Sequence, residues 1–188
     1  MIGVTKAKWP FTDYNFDATL EGWTNIGGGI DTWSIGGAAR SPNLGHHNLP
    51  NYVGPSNWAT RDSSLSVLWL RSPQFQILIP NASLTFALCG GTKGTPPANE
   101  SAVPTGEGAT ADGYQFVGLR DVLTGAFVLT QQKLVAPQGG TAWEPVGWSA
   151  AQLAPYLNDG KYYTLDAIDT DTGSWGWFGL SRTRIPGW

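Results

Sequence analysis

Residues 65–91, LSVLWLRSPQFQILIPNASLTFALCGG, decide the fold. Val67 and Trp69 alternate with Leu68 and Leu70; Phe75, Ile77 and Ile79 fall on one face, and Leu84, Phe86 and Leu88 on another. That period of two belongs to a pleated strand, in which successive side chains point to opposite faces. Ser72-Pro73 and Pro80-Asn81-Ala82-Ser83 supply turn chemistry between the apolar runs. The stretch reads as two paired strands of an all-β protein, an antiparallel β-sandwich. Such folds carry recognition on loops and on a concave face more often than catalysis.

Outward from there the pattern repeats. Asp17 to Trp23 form a turn into a first strand, Gly27 to Gly29 interrupt it, and residues 30–35 give the next. Tyr114, Phe116 and Gly118 alternate with Gln115 and Val117, residues 121–125 turn, and 126–132 run back as a hairpin partner. Residues 162–168 read as a strand, 169–173 as a turn and 175–185 as the closing strand, which completes a jelly roll. Ser149 is placed to cap one or two helical turns before Pro155. Two Gly/Pro-rich segments stand apart. Residues 36–63 predict a long surface excursion, and residues 92–112, which lack any large apolar side chain, predict a flexible loop. The 188 residues form one domain, with its core between 16 and 185.

Composition narrows the function. Charged residues are 13% of the chain, against about 25% in an average protein. The net charge of −3 provides no basic field for phosphates, which argues against a nucleic-acid partner. Cys89 is the only cysteine and sits in an apolar strand pattern, so it reads as buried and inert, with no disulfide or multi-cysteine metal site. No run of 18 apolar residues exists, which argues against membrane insertion through a helix. Residues 2–16 lack the apolar core of a signal peptide. The expected location is extracellular or on a virion surface, reached without a leader in this chain.

The succession Leu70-Arg-Ser-Pro-Gln-Phe75, Leu84 to Gly91, the hairpin turn Leu119-Arg-Asp-Val-Leu-Thr-Gly125 and the Gly173-Ser-Trp-Gly176 step resembles a known family. It is similar to the jelly-roll carbohydrate-binding-like modules appended to bacterial levanases, fructosidases and other secreted glycoside hydrolases. Phe16-Asp17 and Gly22-Trp23 match the opening of that family, and the resemblance spans residues 16–185. It implies a non-catalytic module that binds carbohydrate. The family closes with a pair of aspartates that help hold calcium; here that place reads Leu180-Ser181-Arg182, and the cationic Arg182 opposes a calcium ion. No metal or other cofactor is expected.

Ten tryptophans call for an explanation. An indole offers a flat apolar face to a sugar ring and an N–H at its edge. Trp23, Trp33 and Trp69 lie in strand patterns and read as core, as do Trp175 and Trp177. Trp58, Trp143 and Trp148 lie in or beside Gly/Pro-rich segments and are the candidates for an exposed platform, with polar help from His46, His47, Asn57 and Arg61. Adjacent His46 and His47 point opposite ways on an extended chain, so they do not suit one metal. The four glutamates are scattered, and Asp166, Asp169 and Asp171 read as turn chemistry, so an enzyme is not expected. Two glycosylation-like triplets, Asn81-Ala-Ser83 and Asn99-Glu-Ser101, carry little weight without a secretion signal. Two functions follow as expectations: a glycan-binding, adhesion-type module, or a structural decoration or fibre subunit of a phage virion or other extracellular assembly. Under the second the aromatic side chains anchor neighbouring protein subunits, with homo-oligomers as one form.

Overall fold

The structure is a computed structural model, and it describes residues 11–28, 32–36, 51–55, 65–91, 93–134, 143–173 and 178–188. Its strands are β1 (Thr12–Tyr14), β2 (Thr24–Asn25), β3 (Trp33–Gly36), β4 (Tyr52–Pro55), β5 (Leu68–Arg71), β6 (Leu84–Gly90), β7 (Gln115–Asp121), β8 (Phe127–Gln131), β9 (Glu144–Trp148), β10 (Tyr163–Asp169) and β11 (Phe178–Ile185). A helical turn, α1 (Ala150–Leu153), precedes a 3-10 turn at Ala154–Tyr156. The first sheet runs β3-β4-β11-β6-β9, with β1 also on β11; the second runs β2-β5-β10-β7-β8. All these pairings are antiparallel. Within that order β4-β11-β6-β9 faces β5-β10-β7-β8, the two interlocked Greek keys of a jelly roll.

Alternation along the strands builds the core. Leu68 and Leu70 of β5, Val117 and Leu119 of β7, and Leu165 and Ala167 of β10 meet Leu84, Phe86 and Leu88 of β6 and Leu180 of β11 between the sheets. Tyr14, Phe16 and Trp23 close one region of that core, with the Trp23 ring edge-on to both neighbours at 5.5 and 5.6 Å. Glu21 fixes the intervening turn, because its carboxylate accepts from the backbone N–H groups of Asn15 and Phe16.

Three expectations change. Leu68–Arg71 and Leu84–Gly90 are both strands, but β5 belongs to the second sheet and β6 to the first, so they do not pair. The apolar residues between them serve as a crossover: Phe75 bridges to Tyr163, and Ile77 bridges to Gly187. The excursion expected over 36–63 contains β4, which pairs with β3 and β11. Residues Glu144–Trp148 form β9, where Pro145 is tolerated because, among the described residues, β9 ends its sheet and has a partner strand on one side alone. The hairpin of β7 and β8 and the Ser149 cap are found where expected, the latter as a capping box with Gln152.

Candidate functional site

The outer face of the second sheet is not open. Val67, Trp69, Phe116, Phe127 and Ile168 form a second apolar cluster there, with Val103 and Ala109 packed on it. Those two residues come from the segment expected to be a free loop. Residues 93–112 instead lie against the sheet: Phe127 N–H donates to Ala98 O, Glu100 N–H to Gly125 O, Val67 N–H to Gly106 O, and Ala109 N–H to Leu65 O. The Asn99 side chain caps a 3-10 turn at Glu100–Ala102 and donates to Thr124 O. Small residues suit this role because a cover must approach its neighbours closely: a Cβ on Gly94 would come 2.4 Å from Gly113 O, and one on Gly108 2.7 Å from Pro104 Cβ.

An ionic array runs across the same face. Asp166, with none of its surface exposed, accepts from Trp69 Nε1 at 2.7 Å, from Thr164 Oγ1 at 2.7 Å and from Arg71 Nη2 at 2.7 Å. The Arg71 guanidinium also lies over the Trp69 ring, 5.0 Å from its centroid. Glu100 bridges two arginines, with Oε2 2.8 Å from Arg71 Nη2 and Oε1 2.5 Å from Arg120 Nη2. Burial pushes the Glu100 carboxyl up, but the hydrogen bonds and charges of Arg120 and Arg71 outweigh it and hold the group below its ordinary value. Asp166 is therefore no solvated turn residue: β10 buries it opposite Arg71, its register partner on β5.

The outer face of the first sheet carries the other aromatic feature. Trp143, just before β9, lies on Tyr52 with ring centroids 5.4 Å apart. Gly179 makes room beneath it, since a Cβ there would come 3.1 Å from Trp143 Cη2. Trp143 is half-buried, and its Nε1 has no hydrogen-bond partner. Cys89 pairs with Gly179 on this face, and burial pushes its thiol up to about 12, so it stays protonated near neutral pH.

Of the residues expected to form a platform, His46, His47, Asn57, Trp58 and Arg61 lie outside the described residues, as do Trp175 and Trp177. In sequence, His46 and His47 fall in the connection between β3 and β4, and Asn57, Trp58 and Arg61 in that between β4 and β5. Trp148 is corrected: it is 1% exposed, edge-on to Phe86 at 5.5 Å in the core, and has no face left for a ligand. Of that set Trp143 is left on an outer face. Arg71, Glu100, Arg120 and Asp166 were missed as a group. The two-residue spacing of Trp69 and Arg71 places them on one face, but nothing local in the sequence says that Glu100 folds back onto it. Among the described residues no group of three or more His, Cys, Asp and Glu side chains could hold a metal ion. No helix among them is long and apolar enough to cross a membrane.

No protein-family model matches the chain, and no curated protein is detectably similar in sequence. Among solved structures, the K2 cleaved adhesin domain of Lys-gingipain superposes with a TM-score of 0.50 at 13% identity, covering 93% of this chain and 98% of that one. The K1 cleaved adhesin domain of the same protein, from Porphyromonas gingivalis, gives 0.49 at 16% identity, with 93% and 96% covered. A cyclase from Fischerella gives 0.45 at 15% identity, with 97% and 92% covered. The family 11 carbohydrate-binding module of a Clostridium thermocellum cellulosomal cellulase gives 0.41 at 8%, with 97% of each chain covered. At these identities the shared property is the fold, a β-sandwich of the kind found in the K2 adhesin domain.

Proposed function

We propose that the chain is a non-catalytic adhesion-type module that binds glycans on the outer face of the first sheet, around Trp143. The observation that carries this reading is the Trp143 ring set on Tyr52 over Gly179, a half-buried indole on a sheet face rather than in the core. An indole held in this way loses little rotamer freedom when a sugar ring stacks on its exposed part, while its Nε1 is buried and takes no part in the contact. The connections on either side of β4, with His46, His47, Asn57, Trp58 and Arg61, are proposed as the polar part of the site. Residues 93–112 cover the outer face of the second sheet, whereas Trp143 on the first sheet keeps part of its ring exposed, and this supports placing the site there. Titration of tryptophan fluorescence with a panel of oligosaccharides tests the reading: Trp143→Ala should abolish the response while unfolding at nearly the wild-type denaturant concentration. A panel with no response from the wild-type protein overturns it.

One observation favours a second reading, a structural subunit of a virion or other extracellular assembly. Leu123 is 88% and Tyr162 52% exposed, and Val122 N–H donates to Tyr162 O, so two large apolar side chains stand exposed at neighbouring positions. Under this reading light scattering over a concentration series gives multimers that dissociate in Leu123→Ser. A monomer at all concentrations excludes self-assembly through that patch.

A further inference from the structure

Two guanidinium groups repel, and they converge on the width of one carboxylate only where an anion sits between them. Arg71 and Arg120 do this on the outer face of the second sheet, and the anion is the chain's own Glu100. Their supports differ from that of Glu100. Arg71 is fixed from β5 by the buried Asp166 and by the Trp69 ring, and these contacts do not involve Glu100. Arg120 is held by β7, and its Nε is buried with no hydrogen-bond partner. Glu100 is the more exposed member, at 29% of its side chain against 21% for Arg71, 9% for Arg120 and none for Asp166. Gly125 lies against its carboxylate, where a Cβ would come 2.7 Å from Oε1, so only hydrogen fills that side. Swinging the Glu100 side chain outward leaves Arg71 held by Asp166 and Trp69 and frees the largely buried Arg120 guanidinium to pair with another anion.

We propose that Arg71 and Arg120 form a carboxylate-binding subsite that Glu100 occupies in the free protein and that the uronate group of an acidic glycan takes over. Each arginine turns one Nη2 to the carboxylate, as in the two pairs with Glu100, so that one planar carboxylate spans both, and Asp166 and the Trp69 ring hold Arg71 in that orientation. Glu100 acts as an internal competitor. It keeps the arginines neutralised when no ligand is present, and it selects against neutral chains, which offer the pair no replacement charge. The glycan in this proposal rests on the adhesion reading; the carboxylate subsite does not. A protein of net charge −3 has no general attraction for a polyanion, so binding of one reports a local site.

The test is calorimetric titration of wild-type protein, Glu100→Gln and the double variant E100Q/R120Q with an oligogalacturonate, with acetate and with a neutral cello-oligosaccharide. The expected result is weak oligogalacturonate binding by wild type, a gain of about tenfold in Glu100→Gln, where the competing charge is gone, and loss in the double variant. The neutral chain should be indifferent to Glu100→Gln. Acetate matching the oligogalacturonate would keep the subsite and overturn its glycan ligand. A native-like Glu100→Gln protein with no gain, or a gain that survives loss of Arg120, overturns the proposal. The wild-type protein gives an independent readout that needs no variant: arginine Nε–H resonances of Arg71 and Arg120 should shift on adding oligogalacturonate, and unmoved resonances at saturating ligand refute it.

Discussion

The two outer faces of this sandwich differ in what finishes them. On the second sheet the chain supplies its own cover: residues 93–112 bury Val103 and Ala109 on Trp69, Phe116 and Phe127, and Glu100 ties Arg71 to Arg120. On the first sheet, among the described residues, the half-buried indole of Trp143 lies over the buried Tyr52 and Gly179, with its Nε1 buried and unpartnered. One face is thus a second core sealed by an ionic clasp, and the other carries a half-buried indole set over the buried Tyr52 and Gly179. A sheet face becomes interior when the sequence returns over it with residues small enough to approach and one charge placed to pair.

The largest expected effect separates core from face. Trp148→Ala should cost about 3–5 kcal/mol, because it empties a fully buried site against Phe86, whereas Trp143→Ala should cost about 1–2 kcal/mol. Urea denaturation measures both, and equal losses would erase the distinction between the two tryptophans. Next in size is Asp166→Ala, expected at about 3 kcal/mol, because it strips a buried anion from Arg71 and leaves Trp69 Nε1 and Thr164 Oγ1 without their acceptor. A loss below about 1 kcal/mol would mean that the array on the second sheet is surface decoration rather than part of a core.

How much of this difference was legible beforehand follows from the range of each interaction. The period of two in residues 65–91 and 114–132 gave strands and a sandwich, because burial of alternate side chains is a local property of the sequence. Which strands pair is not local. β5 and β6 read as partners, yet they sit in different sheets because Phe75 and Ile77 bridge to distant strands. β4 and β9 are hidden for a related reason: Gly54-Pro55 and Pro145 look like loop chemistry, and pairing with β3 and β11 in one case and β6 in the other makes strands of them. Trp143 and Trp148 illustrate the limit most directly. They lie five residues apart in the same polar stretch, and what distinguishes them is which one β9 turns inward.

Acid should loosen the covered face. The Glu100 carboxyl is held below its ordinary value by Arg120 and Arg71 against the opposing effect of burial, and Asp121 is lowered in the same way by Lys161 and the N–H groups of Thr124 and Leu123. A carboxyl whose folded value lies below its unfolded one contributes stability that is complete above the unfolded value, about 4. That contribution is lost as the pH falls through the folded value. Stability should therefore be level from neutral pH to about 5 and decline below, with Glu100→Gln about 1 kcal/mol less stable at pH 7 and converging on wild type as acid protonates Glu100. A constant gap between the two proteins down to pH 2 would deny that the clasp depends on charge.

The smallest effect tests how Trp143 is seated. Gly179→Ala places a methyl group 3.1 Å from Trp143 Cη2, closer than van der Waals contact but on a half-buried ring with room to tilt. The ring should lift by a few tenths of an ångström from Tyr52, with a stability loss below about 1 kcal/mol. Its fluorescence should shift and its sugar response weaken, while the pH profile of the covered face stays unchanged. The contrasting position is Gly147 of β9, where a Cβ would lie 2.1 Å from Leu84 O, a backbone atom that cannot step aside. If Gly179→Ala proved as damaging as Gly147→Ala, Trp143 would be wedged as rigidly as the core, and the first sheet would be closed in the same sense as the second.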